Sequence, residues 1–234
     1  MDFSVHTYSA YSPEDAQASR GYRFADTGIP LQQYDGEFDF FINLVAGIGG
    51  PVFELAAGSG RIMEILATAE VLNETGVHIY GLEASESMLF RAQRAFSRLS
   101  AEERQRLHLI KGDMCRFALR QVFSLVIVPF NSFWYNFWRY EDGLLAASPR
   151  LAVSSSKFVW AAAEQCLSCI LNVLCEGGTF VIDMPVIGAP SMSDQHIREW
   201  WESMGAKYGF EHVFKQPYSR SDVLVDVLVA RKKI

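Results

Sequence analysis

The sequence predicts an α/β protein built on a Rossmann-like, doubly wound seven-stranded sheet, mostly parallel with an antiparallel final strand. Three observations carry this. Val52–Leu55 is a short apolar strand holding an acid, Glu54, and it runs into a glycine turn and then an amphipathic helix from Arg61. Further apolar segments of strand length recur between stretches of helical periodicity. Two strand-like segments, 210–218 and 223–230, then follow one another directly at the C-terminus, as an antiparallel ending requires.

Taken in order, residues 1–48 form a distinct N-terminal segment rich in Tyr and Phe, including Tyr8, Tyr11, Tyr22, Phe24 and Tyr34. Phe38, Phe41, Ile42 and Val45 lie at helical spacing and predict an amphipathic helix with one face turned inward. In the turn after the first strand, Gly58 and Gly60 let the backbone bend tightly and let a ligand lie against bare main chain. A dinucleotide fingerprint would need Gly or Ala at position 63 for close helix–strand packing, where this chain has Met63. Glu54 would also bring negative charge toward a pyrophosphate at the helix N-terminus. A ligand bearing an ammonium and a sulfonium suits that carboxylate better.

Residues 77–82 read as a second buried strand closed by Glu83, about 20 positions past Gly60, where nucleotide folds place an acid on the ribose hydroxyls. Ser85 caps the following helix, Glu86 favours its first turn, and Met88, Leu89 and Ala92 begin its apolar face. Residues 107–110 form a third strand, leading to Lys111-Gly112-Asp113-Met114. Phe123–Val128 is a fourth, running into Pro129-Phe130-Asn131. Glu176-Gly177-Gly178 turns into a fifth, 179–183, and residues 191–203 read as a helix bearing Ile197, Trp200 and Trp201.

Glu54-Leu55-Ala56-Ala57-Gly58-Ser59-Gly60 resembles the first motif of the class I S-adenosylmethionine-dependent methyltransferases, an acid followed by alternating small residues and glycines. The resemblance covers roughly residues 34–234, with its strongest motifs between 52 and 131. It implies that S-adenosyl-L-methionine is the cofactor. The cofactor contacts it implies begin with Glu54, Ala56, Gly58, Gly60 and Arg61 at the turn. Glu83, Ala84 and Met88 follow the second strand, and Pro129 and Phe130 the fourth. By the same resemblance, the Asp113 carboxylate lies near the adenine amino group and the Met114 N–H near a ring nitrogen. Elements before the first strand would form an N-terminal helical lid over residues 1–48, leaving 49–234 as the cofactor-binding domain. Tyr34 then either faces the methionine end of the ligand, where an aromatic ring suits a sulfonium, or simply anchors its helix on the sheet. The last strand is expected to insert between its neighbours. Departures from the family pattern are mild: Ala57 and Ser59 in the turn, Ser124 where many members have Asp, and Cys175-Glu176 before the double glycine.

The implied reaction is methyl transfer to N or O of a small metabolite or natural-product acceptor. The stretch from Asn131 to Tyr140 is strongly aromatic and follows a strand end, where open α/β sheets hold ligands. Tyr11, Asn131 and Trp134, with His196, are candidate acceptor contacts, although several rings of the 131–140 stretch are expected to belong to a helix packed behind the strand. No catalytic dyad is evident, because the sulfonium is already a strong methyl donor and a base is needed only if the acceptor must lose a proton. The same cofactor motifs would also serve transfer or cyclisation of the aminocarboxypropyl group, releasing methylthioadenosine. Residues 141–156 are turn-rich and read as a surface insertion.

Composition narrows the alternatives. A chain of 234 residues, 50% hydrophobic, can bury one large core. Its net charge of −6 argues against a nucleic-acid partner, which needs clustered Lys and Arg. The Asp/Asn-Pro-Pro-Tyr/Phe marker of nucleobase methylation is absent after the fourth strand. No signal peptide or membrane-length apolar run is evident, so a cytoplasmic location without membrane attachment is expected. Cys166-x-x-Cys169 is the one suggestive thiol spacing, but Leu167, Ile170, Leu171 and Leu174 place it on a packed helix, so no metal is expected.

Overall fold

Side chains alternating between two apolar faces explain why β1 (Val52–Leu55), β2 (Ile79–Glu83) and β4 (Phe123–Val128) form a sheet covered on both sides, with β3 (Leu107–Lys111) half-exposed at its edge. The structure, a computed structural model, describes residues 35–129, 132–133, 138–140, 156–158, 160–183, 194–220 and 223–234. Three further strands, β7 (Leu174–Asp183), β8 (Phe210–Arg220) and β9 (Val223–Lys232), complete a seven-stranded sheet in the order β3-β2-β1-β4-β7-β9-β8. Strands β3 to β7 in that order are mutually parallel, and β9 runs antiparallel to both β7 and β8. The last strand therefore inserts between its neighbours, as the resemblance implies.

One face packs Phe53, Leu55, Val126, Val128, Phe180 and Ile182 against α6 (Trp160–Val173) and α7 (Asp194–Tyr208), through Cys166, Leu167, Ile170 and Trp201. On the other face, Val52, Leu125, Ile127 and Val181 meet α1 (Asp35–Ile48), α2 (Arg61–Thr68) and α4 (Glu86–Phe96). Two short helices, α3 (Glu70–Asn73) and α5 (Ala101–Gln105), finish the connections, α5 starting at a Ser100/Glu103 capping box. Helix α1 carries the expected inward face, with Phe38, Phe41 and Val45 buried in this second core. The rest of the expected lid, residues 1–34, lies outside the described residues.

Several expected boundaries shift. β7 begins at Leu174 rather than 179, so Gly177, at φ 71°, is a bulge within a strand and not a turn before one. The pairing jumps from Phe123↔Leu174 to Leu125↔Thr179 across it. The helix expected at 191–203 runs Asp194–Tyr208 and contains position 196, so His196 is helical. Trp138–Tyr140 forms β5, paired antiparallel with β6 (Ser156–Phe158), so a two-stranded ribbon brackets the insertion; residues 141–155 lie outside the described residues. Among the described residues no helix is long and apolar enough to cross a membrane.

The order of the strands positions the site. The chain steps outward from β1 to β2 and β3, then returns to β4 on the other side of β1. Connections leave in opposite directions there, opening a crevice beyond the carboxyl ends of β1 and β4. Glu54 and the glycine turn come at the end of β1, Glu83 at that of β2, Asp113 just after β3 and Pro129 just after β4.

Candidate functional site

The turn after β1 is left-handed at alternate residues: Ala56 has φ 53°, Gly58 57° and Gly60 77°. For Ala56 this conformation costs about 1–2 kcal/mol, strain of the kind that collects at ligand sites. The Ala57 N–H donates to the Leu82 carbonyl at 3.0 Å, and the Gly60 N–H to the Ala57 carbonyl at 2.9 Å. The two turn glycines do different things. A Cβ on Gly60 would lie 2.6 Å from Phe96 Cζ and 3.2 Å from Ala92 Cβ, whereas one on Gly58 would meet nothing nearer than the Ala56 carbonyl oxygen at 3.9 Å. Gly60 is required by packing on α4, and Gly58 faces open space.

Met63 acquires a different meaning in three dimensions. A Cβ on Gly81 of β2 would come within 2.3 Å of the Met63 sulfur and 2.9 Å of Ala57 Cβ. The strand therefore supplies the small residue that the helix does not. Close helix–strand packing is kept, and the steric argument drawn from Met63 against a dinucleotide fingerprint falls.

Glu83 is buried at the end of β2, and both its oxygens are engaged. Oε2 accepts the Gly58 N–H and Oε1 the Ser85 N–H, each at 2.8 Å. Burial pushes its pKa up, while these N–H donors and that of Ala84 pull it down. Each carboxylate oxygen has a second lone pair, so the latch that holds the turn leaves acceptors for hydroxyls. Ser85 caps α4, its Oγ accepting the Met88 N–H at 3.4 Å, which seats the buried Met88.

At the end of β3, the Gly112 N–H donates to the Glu83 carbonyl at 3.1 Å, tying the second and third acidic positions together. Asp113 is half-buried; its Oδ1 accepts the Cys115 N–H at 2.8 Å, which orients the carboxylate, and Met114 beside it is buried. Pro129 is buried after β4. Tyr11, Tyr34, Phe130, Asn131 and Trp134 lie outside the described residues. Phe133, within the aromatic stretch, is fully buried against Trp200 and Trp201 and belongs to the core.

Glu54 is 2% exposed, its Oε2 has no hydrogen-bond partner, and burial raises its pKa to about 8. The Met63 N–H and the Arg61 charge act against that rise, while Glu37 and Glu83 reinforce it. Arg61 lies near enough for its charge to act on Glu54 but does not hydrogen-bond its Oε2: its two terminal nitrogens donate to the fully buried Glu37 of α1 at 2.8 and 3.0 Å, and its guanidinium lies over the Phe38 ring. Neither composition nor spacing announces Glu37, which stands among ordinary helix residues. Only the packing of α1 on α2 brings it to the site.

The thiols gather differently from their spacing. Cys115 joins Cys166 and Cys169, its thiol donating to the Ala162 carbonyl at 3.5 Å while the Cys169 thiol donates to the Cys115 carbonyl at 3.4 Å. Burial raises the pKa values of Cys166 and Cys169, the signature of inert packing thiols. Among the described residues no group of three or more His, Cys, Asp or Glu is arranged to hold a metal ion.

No protein-family model matches the chain, and no curated protein matches it in sequence. Solved structures do. The glycopeptide N-methyltransferase MtfA is 21% identical, with a TM-score of 0.57 over 85% of this chain and 95% of that one. MtfA has also been crystallised with S-adenosyl-L-methionine, sinefungin and S-adenosyl-L-homocysteine. An S-adenosylmethionine-dependent methyltransferase from Clostridium acetobutylicum ATCC 824 is 10% identical, with a TM-score of 0.59 over 95% of this chain and 100% of that one. The N-methyltransferase NodS from Bradyrhizobium japonicum WM9 is 14% identical, with a TM-score of 0.56 over 87% and 98%. Identities this low speak to architecture alone: this chain has the fold of the class I S-adenosylmethionine-dependent methyltransferases.

Proposed function

We propose that this protein is an S-adenosylmethionine-dependent methyltransferase acting at N or O of a small metabolite or natural-product acceptor. The observation that carries the reading is the buried Glu54, its Oε2 unpartnered, on the strand that leads into a turn where Gly58 faces open space. Burial makes Glu54 costly to ionise on its own, and an ammonium-bearing ligand supplies the opposite charge that offsets that cost. Glu83 accepts the ribose hydroxyls through its remaining lone pairs, and Asp113 and the Met114 N–H meet the adenine. Met88 and Met114 supply apolar surface beside them. The similar folds of two N-methyltransferases favour a nitrogen acceptor.

When bound, S-adenosylmethionine supplies a methyl group already activated on sulfonium. What remains for the protein is to align the acceptor, exclude water and accept a proton if the acceptor carries one. Alignment of this kind can lower a barrier by about 7–11 kcal/mol. The segment after β4, with Phe130, Asn131 and Trp134, and the N-terminal segment with Tyr11 and Tyr34, are where acceptor contacts and closure are assigned. Residues 1–48 are assigned as the lid and 49–234 as the cofactor-binding domain. The negative net charge fits a reading without a nucleic-acid partner.

The test is product analysis by mass spectrometry after incubation with S-adenosylmethionine, alone and with metabolite pools. S-adenosylhomocysteine together with a methylated metabolite is the expected outcome. Methylthioadenosine would replace methyl transfer with use of the aminocarboxypropyl group, and absence of both binding and turnover would overturn the reading.

A further inference from the structure

Three carboxylates and one guanidinium meet at the base of the site: Glu37 on α1, Glu54 on β1, Glu83 on β2 and Arg61 on α2. With a buried unpartnered carboxylate so near, the expected electrostatic outcome is an Arg61–Glu54 pair. The fold does something else. Arg61 is held bidentately by Glu37 at 2.8 and 3.0 Å, with its guanidinium 5.4 Å over the Phe38 ring, and Glu54 Oε2 has no hydrogen-bond partner. Bidentate Arg–carboxylate geometry is directional, so a guanidinium engaged in this way is not free to turn toward a second acid.

We propose that Glu37 is a positioning residue: by holding Arg61 bidentately it keeps the guanidinium from hydrogen-bonding Glu54 and reserves that group for the ammonium of the ligand. The inference rests on the methyltransferase reading of the site and deepens it. It also moves Arg61 from the ligand, where the sequence resemblance put it, to a buried clamp between α1 and α2.

A consequence separates this role from simple structural support. The groups acting on Glu54 are Arg61, Glu37 and Glu83, and their balance with burial keeps Glu54 protonated at pH 7, its pKa being raised to about 8. Receipt of an ammonium requires that proton to leave. Ligand binding should therefore release about one proton at pH 7, and affinity should rise toward tenfold per pH unit between pH 6 and 7, below the range where an α-amino group itself titrates. Replacing Glu37 by Gln removes a charge that raises the Glu54 pKa and lets Arg61 pair with Glu54, which then ionises before any ligand arrives.

The experiment is calorimetric titration with S-adenosylhomocysteine, which keeps the α-ammonium and does not react, in buffers of different ionisation enthalpy. Wild type should release about one proton, and Glu37→Gln should release far fewer, bind about tenfold or more weakly at pH 7 and lose its pH slope. The neutral pair Glu37→Gln/Arg61→Gln should recover the proton release lost in the single variant. Glu37→Asp retains a buried carboxylate and covers the case in which Glu37→Gln does not fold; it holds the guanidinium less closely and must also lower the release. Wild-type proton release in Glu37→Gln or Glu37→Asp, or no recovery in the double variant, overturns the inference while leaving the methyltransferase reading intact. If wild type binds neither S-adenosylhomocysteine nor S-adenosylmethionine, that reading fails and the inference with it.

Discussion

A glycine can be required by its own backbone, by its neighbours or by a ligand, and the turn after β1 separates these demands residue by residue. Gly60 combines a left-handed φ of 77° with Phe96 packed where a side chain would begin. Gly60→Ala should therefore destabilise the protein by about 2–4 kcal/mol in denaturant unfolding, the sum of a backbone and an overpacking cost. Gly58 has the same handedness but open space beyond it. Gly58→Val should cost only the backbone part, about 1–2 kcal/mol, and yet abolish cofactor binding in titration calorimetry. Wild-type affinity in that variant would mean that the ligand does not cross the turn. Both glycines, Glu54 and Glu83 stand out in the sequence because strand-end acids and glycine turns have local signatures. Glu37 does not, because its role depends on a partner brought to it by helix packing rather than by spacing.

At the scale of elements, the contact between α2 and β2 shows how one requirement moves between positions. The expected small residue is missing from the helix at Met63 and present in the strand as Gly81, whose Cβ would lie 2.3 Å from the Met63 sulfur. Gly81→Ala should destabilise by about 1–3 kcal/mol, and Met63→Ala in the same chain should recover part of that loss. Independent, additive effects in a double-mutant cycle would show that the two residues do not share the space. Most elements were legible from periodicity, since each has one apolar stripe or an alternating run. The start of β7 was not: Gly177 reads as a turn from sequence, but pairing with β4 resumes on either side of it and makes it a bulge. Nor was the β5/β6 ribbon, because an aromatic run looks the same whether its rings face a ligand, a core or a paired strand.

For the whole molecule, the site is a property of sheet order. Amides that hydrogen exchange should protect on addition of S-adenosylmethionine are those of 56–60, 84–88 and 113–115, which are far apart in the chain and come together at the carboxyl ends of β1, β2 and β3. Amides of β8, at the far edge of the sheet, should be unaffected locally. Protection spread evenly over the chain would indicate global stabilisation alone, which mass action sets at about 2.7 kcal/mol for ligand at a hundredfold over its Kd.

The α/β class, the strand ends carrying Glu54, Glu83 and Asp113, and the helical setting of Cys166 and Cys169 followed from residue order alone, because burial periodicity and turn chemistry act over a few neighbours. Tertiary structure decided that Arg61 pairs with Glu37, that Gly81 makes room for Met63, and that Cys115 joins the other thiols. These pairings join residues separated by 18 to 54 positions, and their cause is which helix lies over which strand. Chain-local pattern carries no record of that choice.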